Sequence, residues 1–301
     1  MSRAVFHVHV PATSANLGPG FDCLALSLDL WNHTTFQVTG QKFLVDVRGE
    51  GSGVLPVDEK NLIITSFFQG MDAIGHPIPP GIKVFCHNHI PACSGLGSSA
   101  AAVLTGLLAA NLLGGGALSN EEILMLANKI EGHPDNISAA LLGGLVVAVL
   151  QDGQFVTKKF DLPEMQVAFI LPQIAISTSM ARAILPEHYG RREIVFNLGR
   201  VPLTIEGLRS GDIPLLKVAM QDRLHQPYRL SHIPGADAAI QAARDLDAVA
   251  TLSGAGPGLI CFCNGDPRQI SSKIEREFQR NGIQSKTWIL NLSNQGAYLD
   301  E

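Results

Sequence analysis

The run Pro91, Ala92, Cys93, Ser94, Gly95, Leu96, Gly97, Ser98, Ser99, Ala100 and Ala101 brings glycines and serines to the start of an alanine- and leucine-rich stretch. A turn of this kind, opening into a helix, presents unpaired backbone N–H groups, hydroxyls and the positive end of the helix dipole, which together favour an anion. A phosphate group suits that chemistry. No Gly-Lys-Ser/Thr follows the glycines, so the turn is not a Walker A loop. Taken alone, the segment reads equally well as a tight turn ahead of a core helix. A second glycine turn, Ser253-Gly-Ala-Gly-Pro-Gly258, lies between two apolar runs. Its paired Gly-x-Gly favours close approach of another backbone or a ligand over a bare strand-to-strand turn.

Such turns need rigid elements on both sides. The first ten residues, from Met1 to Val10, read as a strand, clearest over 6–10, followed by a loop over 11–20. Further strands are expected at 24–30, 34–38, 43–48 and 82–86. Asn61 is a plausible N-cap for a helix reaching Ile74. A buried helix over 98–113 ends at Gly114, Gly115 and Gly116, and Ser119 with Glu122 forms a capping box for the next helix, to about residue 130. Residues 131–136 form a loop and the start of a helix that Gly143 and Gly144 break, and a hairpin follows over 145–159. The second half offers strands at 167–171, 249–252, 259–262 and 286–290 and helices at 179–184, 191–209, 213–224, 236–246 and 268–279. A boundary near 161–164 divides the chain into 1–160 and 161–301, and strands mixed with helices in both halves give an α+β protein of two domains.

Composition narrows the classes. The 301 residues carry 46% hydrophobic and 16% charged side chains, as in a globular protein. A net charge of −5 without a Lys/Arg cluster speaks against nucleic-acid binding. The longest apolar run, 100–113, is too short for a bilayer and is interrupted by Thr105, Gly106 and Asn111. The N-terminus has neither a continuous apolar segment nor a cleavage signature, so a cytoplasmic protein is expected. Five cysteines without a C-x-x-C pair argue against a disulfide framework or a zinc site.

The two glycine turns and the opening segment Pro11-Ala-Thr-Ser-Ala-Asn16-Leu-Gly-Pro-Gly20-Phe-Asp22 follow one another in an order and spacing that resemble the three signature motifs of the GHMP kinase superfamily (galactokinase, homoserine kinase, mevalonate kinase and phosphomevalonate kinase). The resemblance covers nearly the whole chain and is strongest to the homoserine kinase family. Glu131-Gly-His133-Pro-Asp135-Asn136, Ala139-Ala-Leu-Leu-Gly-Gly144 and His225-Gln-Pro-Tyr-Arg229, leading to Ile233-Pro-Gly235, match that family too. The family usually has Glu where Gln226 stands, a departure that bears on how Arg229 is held. The resemblance implies a two-domain GHMP kinase fold: a ribosomal protein S5 domain 2-like N-terminal half carrying the nucleotide turn, and a ferredoxin-like C-terminal half carrying the third motif. The active site would lie between them. It implies ATP and Mg²⁺, conversion of L-homoserine to O-phospho-L-homoserine in threonine biosynthesis, and a homodimer.

By the same resemblance, residues 91–101 would wrap the ATP phosphates, with Ser99 and Glu131 as metal ligands. Magnesium takes oxygen ligands and keeps several waters, so one hydroxyl and one carboxylate suffice. The alternative for Glu131 is a surface glutamate ending a capped helix, and its spacing to Asp135 is shorter than in mevalonate-type relatives. Asn16 and Asp22 would hold the ammonium and hydroxyl end of the substrate. Arg182 and Arg229 would hold its carboxylate through their planar forks, the alternative being solvated or ion-paired surface arginines. Asp135 has two readings: a base for the attacking hydroxyl, or a helix cap and anchor with Asn136 orienting the hydroxyl. His133 is a ligand, an acid or simply a satisfied loop histidine, and Asn61 either contacts adenine or only caps its helix. A non-catalytic sensor would be expected to lose catalytic polar residues, and Ser98, Ser99, Glu131, Asp135 and Asn136 all remain.

Overall fold

A computed structural model describes residues 5–300, so the first four residues of the expected N-terminal strand lie outside the described part. The first half is built on a long antiparallel pair, β1 (Val5–Asn16) and β2 (Gly20–Thr39), joined by a turn at residues 17–19. Phe6, Val8 and Val10 alternate inward along β1 while His7 and His9 alternate outward, the period-two pattern of a sheet with one buried face. β3 (Leu44–Gly49) runs parallel to β4 (Gly81–Asn88), with α1 (Leu62–Ile74) as the crossover, and β4 pairs with β2.

Three helices follow: α2 (Ser98–Leu113), α3 (Asn120–Glu131) and α4 (Asp135–Leu142). Then β5 (Leu145–Gln151) and β6 (Gln154–Phe160) form a hairpin whose first strand pairs with β2. α2 is apolar on nearly all sides because α1, α3, α4 and β1 surround it. Gly106 lets α1 come close: a Cβ there would lie 2.2 Å from the Ile63 carbonyl oxygen.

The second half contains β7 (Gln166–Pro172), α5 (Thr178–Ala183), α6 (Arg191–Leu198), α7 (Arg200–Ser210), α8 (Ile213–Ala219), α9 (Gln226–Leu230) and α10 (Ala236–Arg244). It continues through β8 (Val249–Leu252), β9 (Leu259–Phe262), α11 (Pro267–Arg280) and β10 (Ser285–Asn291). Its sheet has the order β10-β7-β9-β8. Val167, Phe169, Ile260 and Phe262 face the core shared with the first half, while Ala168, Ile170, Leu259 and Cys261 face the core beneath α10 and α11. A sheet covered on both faces explains why these strands are continuous apolar runs. β11 (Tyr298–Asp300) returns to the first sheet and pairs with β1.

Local signals place several elements correctly. The Asn61 side chain accepts from Ile63 N at the start of α1, and Ser119 and Glu122 close a reciprocal capping box on α3. Four expectations need correction. Residues 11–16 extend β1 rather than forming a loop, with one register shift at Pro11, which lacks an N–H, and another between Ala15 and Asn16 next to the turn. The strands at 24–30 and 34–38 are one strand, which bulges at residues 29–30 opposite Pro11 and Ala12 and then continues. The helix expected at 191–209 divides at Gly199, where Pro202 cannot donate back to residue 198. The helix expected at 213–224 stops at Ala219, because the Asp222 carboxylate collects the N–H groups of Leu224, His225 and Gln226 and starts α9 instead.

Candidate active site

Backbone contacts knit the three glycine-bearing segments together. The Ser94 carbonyl accepts from Gly258 N at 3.1 Å, Thr13 N donates to the Leu96 carbonyl at 3.1 Å, and Gly254 N donates to the Ala15 carbonyl at 2.9 Å. The Ser253 hydroxyl donates to the Gly95 carbonyl at 2.7 Å. Close approach makes glycine necessary at two points. A Cβ on Gly95 would lie 2.2 Å from the Ser253 carbonyl oxygen, and one on Gly97 would lie 2.1 Å from Thr13 Oγ1. Both glycines also have positive φ, 89° and 68°. Gly97 precedes α2, whose first turn has no side-chain cap, so its N–H groups remain available to a ligand. Within the turn, Ser94 is internal bracing: its hydroxyl donates to the Pro91 carbonyl and accepts from Leu96 N. Leu96 and Ala101 are buried as support.

A cleft in front of this turn is lined by Asn16, Asp22, Cys93, Ser94, Gly95, Gly97, Ser98, Ser99, Ala100, Glu131, His133, Asp135, Asn136, Arg182 and Arg229, together with Thr178 and residues 254–256. The structure thus brings together every substrate, metal and catalytic candidate from the sequence. Pro91, Ala92, Leu96 and Ala101 lie in the turn without lining this cleft, although Ala92 lines the neighbouring cavity.

Asp22 and Arg182 meet as a bidentate pair at 2.9 and 2.6 Å across 160 residues of sequence. The pair is 32% and 38% exposed, so solvent screening limits it to about 1 kcal/mol, and a charged ligand can divide it. Arg229 is different. It is 2% exposed, and its donors go to neutral acceptors: Nε to the Ala181 carbonyl, Nη1 to His225 Nδ1 and the Gly254 carbonyl. Among the described residues no carboxylate lies within 4.0 Å of it. Burial, then repulsion from Arg182, pushes its pKa down to about 10. Asp22, Asp222 and Asp135 favour its charge from farther off, but none is in contact, and a buried cation with no direct ion pair is a receptor for an anion. Gln226 does not hold this arginine, since its side-chain oxygen accepts from Thr251 Oγ1 and Leu252 N.

Asn16 lines the cleft with its amide donating to the Gly254 carbonyl and its oxygen accepting from Asp22 N, which leaves one N–H and one lone pair free. It therefore aims Asp22 and ties the first segment to the third. Asp135 opens α4 and is buried, with Oδ1 accepting from His133 Nδ1, Asn136 N and Asn136 Nδ2. That hydrogen bond raises the His133 pKa against the effect of burial. The Asn136 side-chain oxygen accepts from Thr13 Oγ1 at 2.7 Å, fixing the amide. The Ser99 hydroxyl donates to Glu131 Oε1, joining the starts and ends of two helices at one edge of the cleft. No group of three His, Cys, Asp or Glu side chains among the described residues is arranged around a metal. The Ser99–Glu131 oxygen pair nevertheless fits Mg²⁺, which needs few protein oxygens.

On the other side of the turn lies a more apolar cavity of about 300 Å³, lined by Val47, Leu55, Leu62, Ile90, Ala92 and Ala102 along with Asn61, Ser98 and Ser99. Asn61 lines it while capping α1 and donating to the Pro56 carbonyl. Thr13, Asp222 and His225 orient other groups, a role that their residue types and spacing do not mark. Thr13 and His225 sit inside the quoted motifs, whereas nothing near Asp222 marks it as a hub of hydrogen bonds.

Comparison with known proteins gives a consistent result. Residues 61–144 match the family model of the GHMP kinase N-terminal domain, and residues 204–281 match that of the GHMP kinase C-terminal domain. The chain is 39% identical to a homoserine kinase of Desulfitobacterium hafniense over 96% of this chain and 98% of that one. It is 43% identical to a homoserine kinase of Caldicellulosiruptor bescii over 96% and 95%. The crystal structure of homoserine kinase from Cytophaga hutchinsonii superposes with a TM-score of 0.87 at 28% identity, covering 100% of this chain and 98% of that one. At 18% identity, mevalonate kinase of L. major in complex with R-mevalonate shares the fold, with a TM-score of 0.68 over 97% and 96% of the two chains.

Proposed function

This chain belongs to the homoserine kinase family of the GHMP kinases, and on that premise we propose how its cleft phosphorylates the side-chain hydroxyl of L-homoserine to give O-phospho-L-homoserine and ADP. It is an ATP-dependent kinase with an α+β fold of GHMP N- and C-terminal domains. The observation that carries the acceptor assignment is Arg229, a buried cation with no carboxylate in direct contact, beside the Asp22–Arg182 pair on the acceptor side of the cleft that the phosphate turn also lines.

A zwitterionic amino acid answers that layout. Asp22 takes the ammonium group, and Arg229 with Arg182 takes the carboxylate, so the substrate exchanges a weak, half-exposed ion pair for two matched contacts. Backbone N–H groups at the start of α2 and the Ser98 hydroxyl hold the phosphates, and the apolar cavity beside Asn61 takes the flat adenine. Ser99 and Glu131 hold Mg²⁺, which when bound neutralises charge on the transferred group. Asn136, fixed by Thr13, orients the acceptor hydroxyl. Asp135 keeps Oδ1 in hydrogen bonds to its neighbours, and Oδ2, which has no hydrogen-bond partner among the described residues, accepts the hydroxyl proton. Because phosphoryl transfer proceeds through a loose transition state, positioning contributes more than this proton transfer.

The division into residues 1–160 and 161–301 and a homodimer belong to the same reading, as does cytoplasmic action, which five free thiols accommodate. No helix among the described residues is long and apolar enough to cross a membrane. ADP release with Mg-ATP, measured against L-homoserine, mevalonate, galactose, L-serine and L-threonine, tests the function. Turnover with homoserine alone supports it. Turnover with mevalonate or galactose instead keeps the kinase and removes the amino-acid site, and sedimentation of the purified chain tests the dimer.

A further inference from the structure

We propose that His225 is a positioning residue: it orients Arg229 as the carboxylate receptor without neutralising it, an inference that rests on the function proposed above. The ring is fully buried, and its two nitrogens have distinct tasks. Nε2 lies 2.8 Å from the Gly18 carbonyl, which can only accept, so Nε2 carries the proton. Nδ1 is then the lone-pair side, and it receives Arg229 Nη1 at 3.2 Å. A doubly protonated ring would lose that acceptor and place two cations in contact. Burial, helped by the Arg229 charge, lowers the pKa of His225 and outweighs the upward pull of the buried Asp222 carboxylate, whose Oδ2 lies 3.6 Å from Nε2, so the net shift is downward, in agreement with the single-proton form.

The surroundings hold the ring in this orientation. Phe21 stacks against it with centroids 5.4 Å apart and an interplanar angle of 24°, and the same phenyl ring lies 5.3 Å from the Arg229 guanidinium carbon. Asp222 accepts the backbone N–H groups of Leu224, His225 and Gln226, which fixes the start of α9 and sets His225 four residues before Arg229 on one helical face. Gly18 cannot retreat, because a Cβ there would lie 2.4 Å from the Met220 carbonyl oxygen.

The chemical consequence concerns specificity. With the Ala181 and Gly254 carbonyls, His225 makes a set of neutral acceptors that fixes the direction of the guanidinium while leaving its charge whole. An acidic side chain in the same place would orient Arg229 equally well but cancel the charge that selects a carboxylate.

His225→Asn and His225→Gln separate this role from mere support. Asn presents an oxygen near the Nδ1 position and keeps an acceptor for Arg229, while Gln reaches the Nε2 position and does not. Both variants and wild type are assayed as purified full-length protein with L-homoserine and with its uncharged carboxamide at saturating Mg-ATP, and the ATP KM is taken from a separate titration of ATP at saturating homoserine. We expect H225Q to lower the preference for homoserine over the amide about ten- to hundredfold, with little change in the ATP KM, as for loss of a hydrogen bond to a charged group. H225N should keep most of the preference. If the two variants lose activity equally on both substrates, His225 is a packing residue and the inference is wrong. It is equally wrong if H225Q discriminates like wild type. Wild-type inactivity on homoserine overturns the function itself, and the inference falls with it, an outcome read before either variant is assayed.

Discussion

The two sides of the cleft are built by different means. On the nucleotide side the ligand surface is backbone: a turn braced by Ser94, Ser253 and Thr13 and held at contact distance by glycines that leave no room for a Cβ. On the acceptor side it is charge: Asp22, Arg182 and Arg229 project from the β1–β2 turn region and from the short helices α5 and α9, and each is aimed by neighbours far away in sequence. The first kind of surface suits a ligand common to many kinases. The second suits discrimination, because a charged substrate group is required to satisfy it.

Substitutions should separate the two sides. The largest effect is expected on the backbone side. Gly97→Ala puts a Cβ 2.1 Å from Thr13 Oγ1 at a φ of 68°, displacing both the turn and Asn136. We expect kcat/KM for ATP to fall on the order of 100-fold or more, as for a displacement of about 1 Å in a catalytic constellation, with a lower melting temperature. Arg229→Ala should raise the homoserine KM by roughly 100-fold while the ATP KM moves less than about threefold, since only the acceptor side loses a charged partner. Comparable increases in both constants would mean that Arg229 holds the halves together instead.

Asp135→Asn should lower kcat by roughly 100-fold at unchanged KM values if Oδ2 takes the proton, the lower range for general-base catalysis. A nearly active variant would leave Asp135 an anchor for His133 and Asn136. Ser99→Ala should raise the Mg²⁺ concentration for half-maximal rate about tenfold, because Glu131 and water remain.

The smallest effect concerns pH. His225 is buried with its pKa below the ordinary 6.5, first through burial and then through Arg229, with Asp222 pulling the other way. The unfolded chain therefore binds a proton that the native state refuses. Native stability is complete above about pH 6.5 and falls as the pH drops below it, by at most about 1.4 kcal/mol per pH unit. Urea midpoints measured between pH 7.5 and 5 should fall less steeply in H225N than in wild type.

The contrast between the two sides also marks what could be read from sequence. Helix starts at Asn61, Ser98 and Ser119 were legible because caps and glycine turns act within a few residues. The glycine turns of the nucleotide side were legible for the same reason. The acceptor residues could be named but their partners could not. Nothing local shows that Asn16 bonds to both Gly254 and Asp22, that Gln226 turns toward β8, or that Asp222 organises the start of α9. β11 was invisible for a related reason, since three residues with no strand periodicity of their own pair with β1 only because the fold returns them there.

The most direct test is the ratio of kcat/KM for L-homoserine to that for its uncharged carboxamide, from ADP release at saturating Mg-ATP by the wild-type protein. A preference for homoserine of about 100-fold or more is the predicted result, with the same ATP KM for both substrates when ATP is titrated separately, since the amide leaves Arg229 buried without an anion in contact. Ratios within about threefold would contradict the account, because the cleft would then be indifferent to the charge that its acceptor side is built to receive.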